Sequence, residues 1–175
     1  MVRHPSQRVD PWLLAEQEKT LTGRIALDSL PRLAPLLVED TGEAAFVLAF
    51  GKDDRQRPVI QSSVTAELRL ECQRCLGVMT HRVDSRIGLT VVQGLREAEL
   101  LPTEVDPLLL QEAEPLEVAQ LIEDELLLAI PVSPRHPAGQ CQAHGVSEEA
   151  AEVPAERDNP FAVLAGLKAG GTNDS

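Results

Sequence analysis

Val64-Thr65-Ala66-Glu67-Leu68-Arg69-Leu70-Glu71-Cys72, continued by Gln73-Arg74-Cys75-Leu76-Gly77, is the stretch on which the fold turns. Side chains alternate between the two faces of a strand, so Val64, Ala66, Leu68, Leu70 and Cys72 share one face while Thr65, Glu67, Arg69 and Glu71 share the other. The apolar face is the buried one. It ends at Cys72, where Cys72-x-x-Cys75 and Gly77 form a knuckle-like turn. Beyond it Val83, Ser85, Ile87, Leu89 and Val91 alternate with Arg82, Asp84, Arg86, Gly88 and Thr90. Two alternating runs joined by a tight turn predict an antiparallel hairpin with both cysteines at its tip.

Outward from the hairpin, Gly51-Lys52-Asp53-Asp54 predicts a turn between a strand over Glu43 to Phe50 and the long strand that starts at Pro58. Leu21 to Leu27 also alternates as a strand. Asp10-Pro11 opens a short helix to about Glu18, because Asp caps free N–H groups and proline suits the first helical position. Trp12 and either Ala15 or Leu13 face inward in this reading. Ser29 caps a second short helix through Leu37, against the tendency of Pro35 to interrupt it. From Gln93 to Pro115 the proline- and glutamate-rich chain predicts an exposed crossing segment. Glu117 to Ile130 then predicts a helix, with Val118, Leu121, Ile122, Leu126 and Ala129 at helical spacing and Glu123-Asp124-Glu125 turned partly outward. Pro131 ends it.

These elements predict an α+β fold: an antiparallel curved sheet or partly open β-barrel with flanking short helices. The expected organisation is a single domain over residues 1–144, an acidic flexible segment over 145–158, and a short C-terminal helix over 159–169 opened by Asn159-Pro160 and closed by Gly170-Gly171. No leader-like or membrane-spanning apolar run is present, and a cytoplasmic protein is expected.

The formal net charge of −12 lies wholly in the second half of the chain. Residues 1–90 hold 12 Lys/Arg and 12 Asp/Glu, whereas residues 91–175 hold 4 and 16. Such asymmetry repels nucleic-acid phosphate and attracts basic proteins. The one basic stretch is residues 55–86, with Arg55, Arg57, Arg69, Arg74, Arg82 and Arg86 against Glu67, Glu71 and Asp84. It reads either as a basic face or as a solvated sheet face carrying cross-strand ion pairs.

Three cysteines, two of them too close in sequence to staple distant elements, do not make a disulfide framework. Cys72, Cys75 and Cys141 with His136 supply the sulfur and nitrogen set that zinc favours, and His144 is the alternative fourth ligand. Such a site would clip the hairpin tip to the segment after the acidic helix. Two other readings stand beside it: reduced, unligated thiols, and a redox Cys-x-x-Cys. The last normally needs its first cysteine at a helix N-terminus, and a hairpin is predicted here. Gly51-Lys52 lacks the pattern of a phosphate-binding loop, Asp53-Asp54 reads as a turn, and no nucleophile accompanies His4 or His81. No catalytic constellation is read, so a non-enzyme is expected, with an undetected nuclease or redox enzyme as the remaining class.

Three stretches in this order carry a family resemblance: Leu70-Glu71-Cys72-Gln73-Arg74-Cys75; Val118 to His136 with Ile122-Glu123-Asp124-Glu125-Leu126 and Ala129-Ile130-Pro131-Val132; and Asn159-Pro160-Phe161-Ala162-Val163-Leu164. Together they resemble the YceD family of large ribosomal RNA subunit accumulation proteins. The resemblance implies a bacterial cytoplasmic ribosome biogenesis factor required for 23S rRNA accumulation and large-subunit assembly, without known enzymatic activity. It also implies a basic ribosomal protein as a partner, because the family's gene often adjoins that of a small zinc-ribbon protein of the large subunit. Other members carry a second cysteine knuckle near the position of Cys141, where this chain has His136, Cys141 and His144.

Under this reading Arg69, Arg74, Arg82 and Arg86 form the expected RNA-binding patch, contacting large-subunit rRNA or its precursor. The competing expectation is an acidic, chaperone-like protein that holds a basic large-subunit ribosomal protein through Glu123, Asp124 and Glu125. Four aromatics (Trp12, Phe46, Phe50, Phe161), no tyrosine and a charge of −12 provide little of the stacking and positive field that single-strand RNA readers use. Neither a membrane nor a small-molecule substrate is expected as a partner.

Overall fold

A computed structural model describes residues 8–111 and 114–141. All of these belong to one compact unit, Met1–Gln142. The acidic segment over 145–158 and the helix over 159–169 lie outside the described residues. The elements in chain order are β1 (Arg8–Val9), α1 (Pro11–Glu16), β2 (Thr20–Ala26), β3 (Glu43–Lys52), β4 (Pro58–Glu71), β5 (Val78–Val92), α2 (Leu95–Glu99), β6 (Asp106–Leu109), β7 (Leu116–Glu117) and α3 (Val118–Ala129).

Strands β2 to β6 form one sheet in the order β2-β3-β4-β5-β6, and β1 pairs with β7 in a separate two-stranded ribbon. The first four strands run antiparallel, and β6 joins β5 in parallel. Because β2 and β6 end the sheet on either side, it is open rather than closed into a barrel. The long β4–β5 ladder carries the predicted alternation, with Val64, Ala66, Leu68 and Leu70 buried and Leu70 paired to Met79 just before the tip. Its inner face packs with Leu48 and Phe50 of β3 against the apolar side of α3, whose Val118, Leu121, Ile122 and Leu126 are all buried. At Gly23 a Cβ would meet the Phe46 ring at 2.7 Å, so the cross-strand aromatic occupies the space that a side chain would need.

Asp10 caps α1 as expected, its carboxylate accepting from the N–H groups of Trp12 and Leu13 at 2.9 and 3.1 Å. The helix buries Ala15 and leaves Leu13 exposed. The single helix expected from Ser29 to Leu37 is instead two 3-10 turns, Leu27–Ser29 and Ala34–Leu36. Pro31 and Pro35 each lack the N–H that a continuous helix would use, and the Ser29 hydroxyl turns back to the Ala26 carbonyl at 2.6 Å rather than capping onward.

The crossing segment from Gln93 to Pro115 is also structured. It contains α2 and the edge strand β6. Pro107 sits in β6 without cost because the Leu110 N–H bonds Val92 at 3.0 Å, which puts the even-numbered backbone groups toward β5 and position 107 away from it. Among the described residues no helix is long and apolar enough to cross a membrane.

Candidate metal centre

The hairpin turn builds half of the centre. Cys72 donates its N–H to the Gly77 carbonyl and accepts from Leu76 N–H at its own carbonyl, both at 2.9 Å, which folds the knuckle and leaves Leu76 in the left-handed region at φ +56°. A non-glycine residue there costs on the order of 1 kcal/mol, a cost set by the tip's geometry rather than by packing, since Leu76 is exposed. The segment after α3 builds the other half. Gln73 N–H bonds the Pro134 carbonyl at 2.8 Å, and His136 N–H points at the Cys72 sulfur at 3.4 Å.

These ties bring Cys72, Cys75, His136 and Cys141 together with every ligand atom within 4.8 Å of the others. The sulfurs of Cys72 and Cys141 lie 3.7 Å apart, and His136 Nδ1 lies 3.4 Å from the Cys75 sulfur and 3.7 Å from that of Cys141. A tetrahedral zinc with bonds of about 2.0–2.3 Å needs ligand edges of roughly 3.5–3.8 Å. The shortest edges already have that length. His136 Nε2 is 3.2 Å from the Val78 carbonyl, which can only accept, so Nε2 carries the proton and Nδ1 presents its lone pair to the sulfurs.

Electrostatics at the cluster favour a thiolate. Burial pushes the Cys72 thiol up, but donation from the N–H groups of His136, Arg74 and Cys75 outweighs it and holds the group down at about 5. Cys141 is raised, by burial and then by sharing its hydrogen bonds with Cys72 and Cys75, and the Arg74 guanidinium beside its sulfur partly opposes that rise. The cluster can therefore hold a soft divalent cation, with Arg74 balancing its excess negative charge. His144 lies outside the described residues.

The other predicted site residues fare differently. Arg82 and Glu67 stand in cross-strand register and bond at 3.0 Å, Arg86 meets Asp84 at 3.7 Å, and Arg69 meets Glu39 at 3.6 Å while donating to the Thr80 hydroxyl at 2.9 Å. Three of the four arginines are thus opposed by a carboxylate, and the fourth, Arg74, belongs to the cysteine cluster.

The acidic triplet, expected to turn partly outward, places two of its three carboxylates inside. Glu123 is only 3% exposed and accepts from the N–H groups of Arg32 and Leu33 at 2.7 and 3.1 Å and from Arg32 Nε at 2.8 Å. Asp124 binds the same guanidinium at 2.6 Å. Glu125 is buried and accepts from the Ser85 hydroxyl at 2.7 Å. Only Asp124 reaches solvent, so the triplet is chiefly an internal brace. Sequence reasoning missed Arg32, whose partners lie far along the chain and leave no local signal.

Burial raises the Glu125 carboxyl, and Asp106 and Asp124 add to that against the Ser85 bond. The unfolded chain ionises this group near its ordinary 4.5, so its contribution is fully present below that pH and is lost as pH rises through the higher folded value. Glu125→Gln, which keeps an acceptor for Ser85, is expected to melt above the parent at pH 7 and level with it at pH 4. Equal melting at both values in paired thermal scans would contradict the assignment.

An open, mostly antiparallel sheet that carries a thiol and imidazole cluster at one hairpin tip defines the class of scaffold. Residues 60–168 match the family described as large ribosomal RNA subunit accumulation protein YceD. A relative so named from Haemophilus influenzae is 31% identical over 163 residues, covering 91% of this chain and 94% of the relative. The chain belongs to this family. No solved structure matches it.

Proposed function

We propose that this chain is a cytoplasmic, non-catalytic ribosome biogenesis factor, required for large-subunit rRNA to accumulate, with a structural zinc ion held by Cys72, Cys75, His136 and Cys141. The match to the relative over 91% of this chain carries the reading, since that relative's name is that of a large ribosomal RNA subunit accumulation protein. The chemistry of the cluster supports a structural rather than catalytic metal, because three cysteines and one histidine would supply all four ligands that a tetrahedral zinc takes.

Contact with rRNA through a protein is favoured over direct contact. Arg69, Arg82 and Arg86 are opposed by Glu39, Glu67 and Asp84, so the patch has little free positive charge to replace counterions on RNA. A basic large-subunit ribosomal protein suits the acidic half of the chain better. The deciding experiment is depletion of the protein with measurement of the large- to small-subunit rRNA ratio and a gradient profile. A selective loss restored by the wild-type gene is expected, and an unchanged ratio overturns the proposal.

A further inference from the structure

We infer that the free edge of β6, with the cleft beside it, is a docking site for a basic peptide in extended conformation. The parallel register places the backbone groups of Leu108 and Leu110 toward β5, so the N–H and carbonyl of Leu109 point away from the sheet and have no partner among the described residues. An unpaired edge is a template for another strand. Alongside it lies a cleft of about 440 Å³, floored by Leu110, Leu116 and Leu121 and within the range of ligand-sized clefts.

Charge selects the occupant. Of the charged groups lining the cleft, Arg8 is neutralised by Glu117 at 2.7 Å and Asp124 by Arg32 at 2.6 Å. Glu114 has no cation partner among the described residues; it accepts only from the Gln111 N–H at 2.9 Å. Asp106, at the start of β6, adds a second exposed carboxylate at the other end of the edge. A carboxylate without a cation partner among the described residues at each end, and leucines between them, fit a strand that alternates Lys or Arg with apolar side chains. They disfavour a phosphate backbone. This inference stands apart from the rRNA reading, since it concerns what the edge binds and not in which process.

The test uses the full chain and an end-blocked nine-residue peptide of alternating Lys and Val, followed by fluorescence anisotropy. Binding that weakens with added salt, falls about tenfold in Glu114→Gln and falls by at least as much in Leu109→Pro is expected. Glu114→Gln keeps the acceptor for Gln111, so it remains informative if Leu109→Pro unfolds. Equal binding of the matching Glu and Val peptide, affinity unchanged by Glu114→Gln, or preferential binding of oligouridylate at this edge would each overturn the inference.

Discussion

Cys72→Ser is expected to reduce bound zinc from about one equivalent to near zero and to lower the melting temperature more than any surface substitution. Cys72 is the most deeply placed ligand of the cluster, and the N–H groups of His136, Arg74 and Cys75 all serve its sulfur. A serine hydroxyl offers a weak, hard ligand in place of a soft thiolate. Because the centre joins segments 69 residues apart, losing it removes a clip between the hairpin tip and the chain after α3. Binding free energy of a structural metal contributes directly to folding free energy, so a chelator should reproduce the loss in the parent and have no further effect on the variant. Metal analysis and thermal scans with and without chelator decide it. A purified parent without metal, as stable as its chelator-treated form, would remove zinc from the account.

Glu123→Ala is expected to cost about 3 kcal/mol, lowering the melting temperature by roughly 6–12 °C for a chain of this size. The reason is what the carboxylate serves. Two backbone N–H groups, of Arg32 and of fully buried Leu33, donate to one of its oxygens and the Arg32 guanidinium to the other. Truncation leaves the two backbone N–H groups without this acceptor beside buried Leu33, which costs more than the bonds were worth, while the guanidinium keeps Asp124. Arg32→Ala is the informative contrast. Its side chain is 46% exposed, and removing it leaves both backbone bonds to Glu123 in place, so a smaller loss is expected. If Glu123→Ala melts within a degree or two of the parent, the brace has been overvalued.

How much of this was readable from sequence depended on whether the relevant partner was local. The period of two from Val64 to Cys72 carries the strand, its buried face and the position of the cysteines, because alternation and a tight turn are local properties. Glu67 and Arg82 could likewise be anticipated as cross-strand partners once the hairpin was assumed. β6 could not. It has four residues, one of them Pro107, and it is a strand only because β5 offers an edge. Nor could the burial of Glu123, whose helical spacing marks it as half-turned to solvent while its donors come from about 90 residues upstream.

The cluster itself was legible as a set of residue types. Its geometry was not, since the tautomer of His136 rests on the carbonyl of Val78 and the charge balance on Arg74.

The distance along the chain between Cys72 and Cys141 also has a consequence in time. Translation supplies residues at about 5–20 per second, so the knuckle waits roughly 3–14 s for its third thiol to be synthesised. During that interval Leu76 has only the two-cysteine tip to hold its unfavourable backbone. The sheet's inner face is covered only by α1 and the turns over 27–36 until α3 arrives just ahead of that thiol. The nascent chain therefore passes through a stage in which its longest hairpin is made but neither sealed nor locked, and α3 and the centre complete it almost together, near the end of the compact unit.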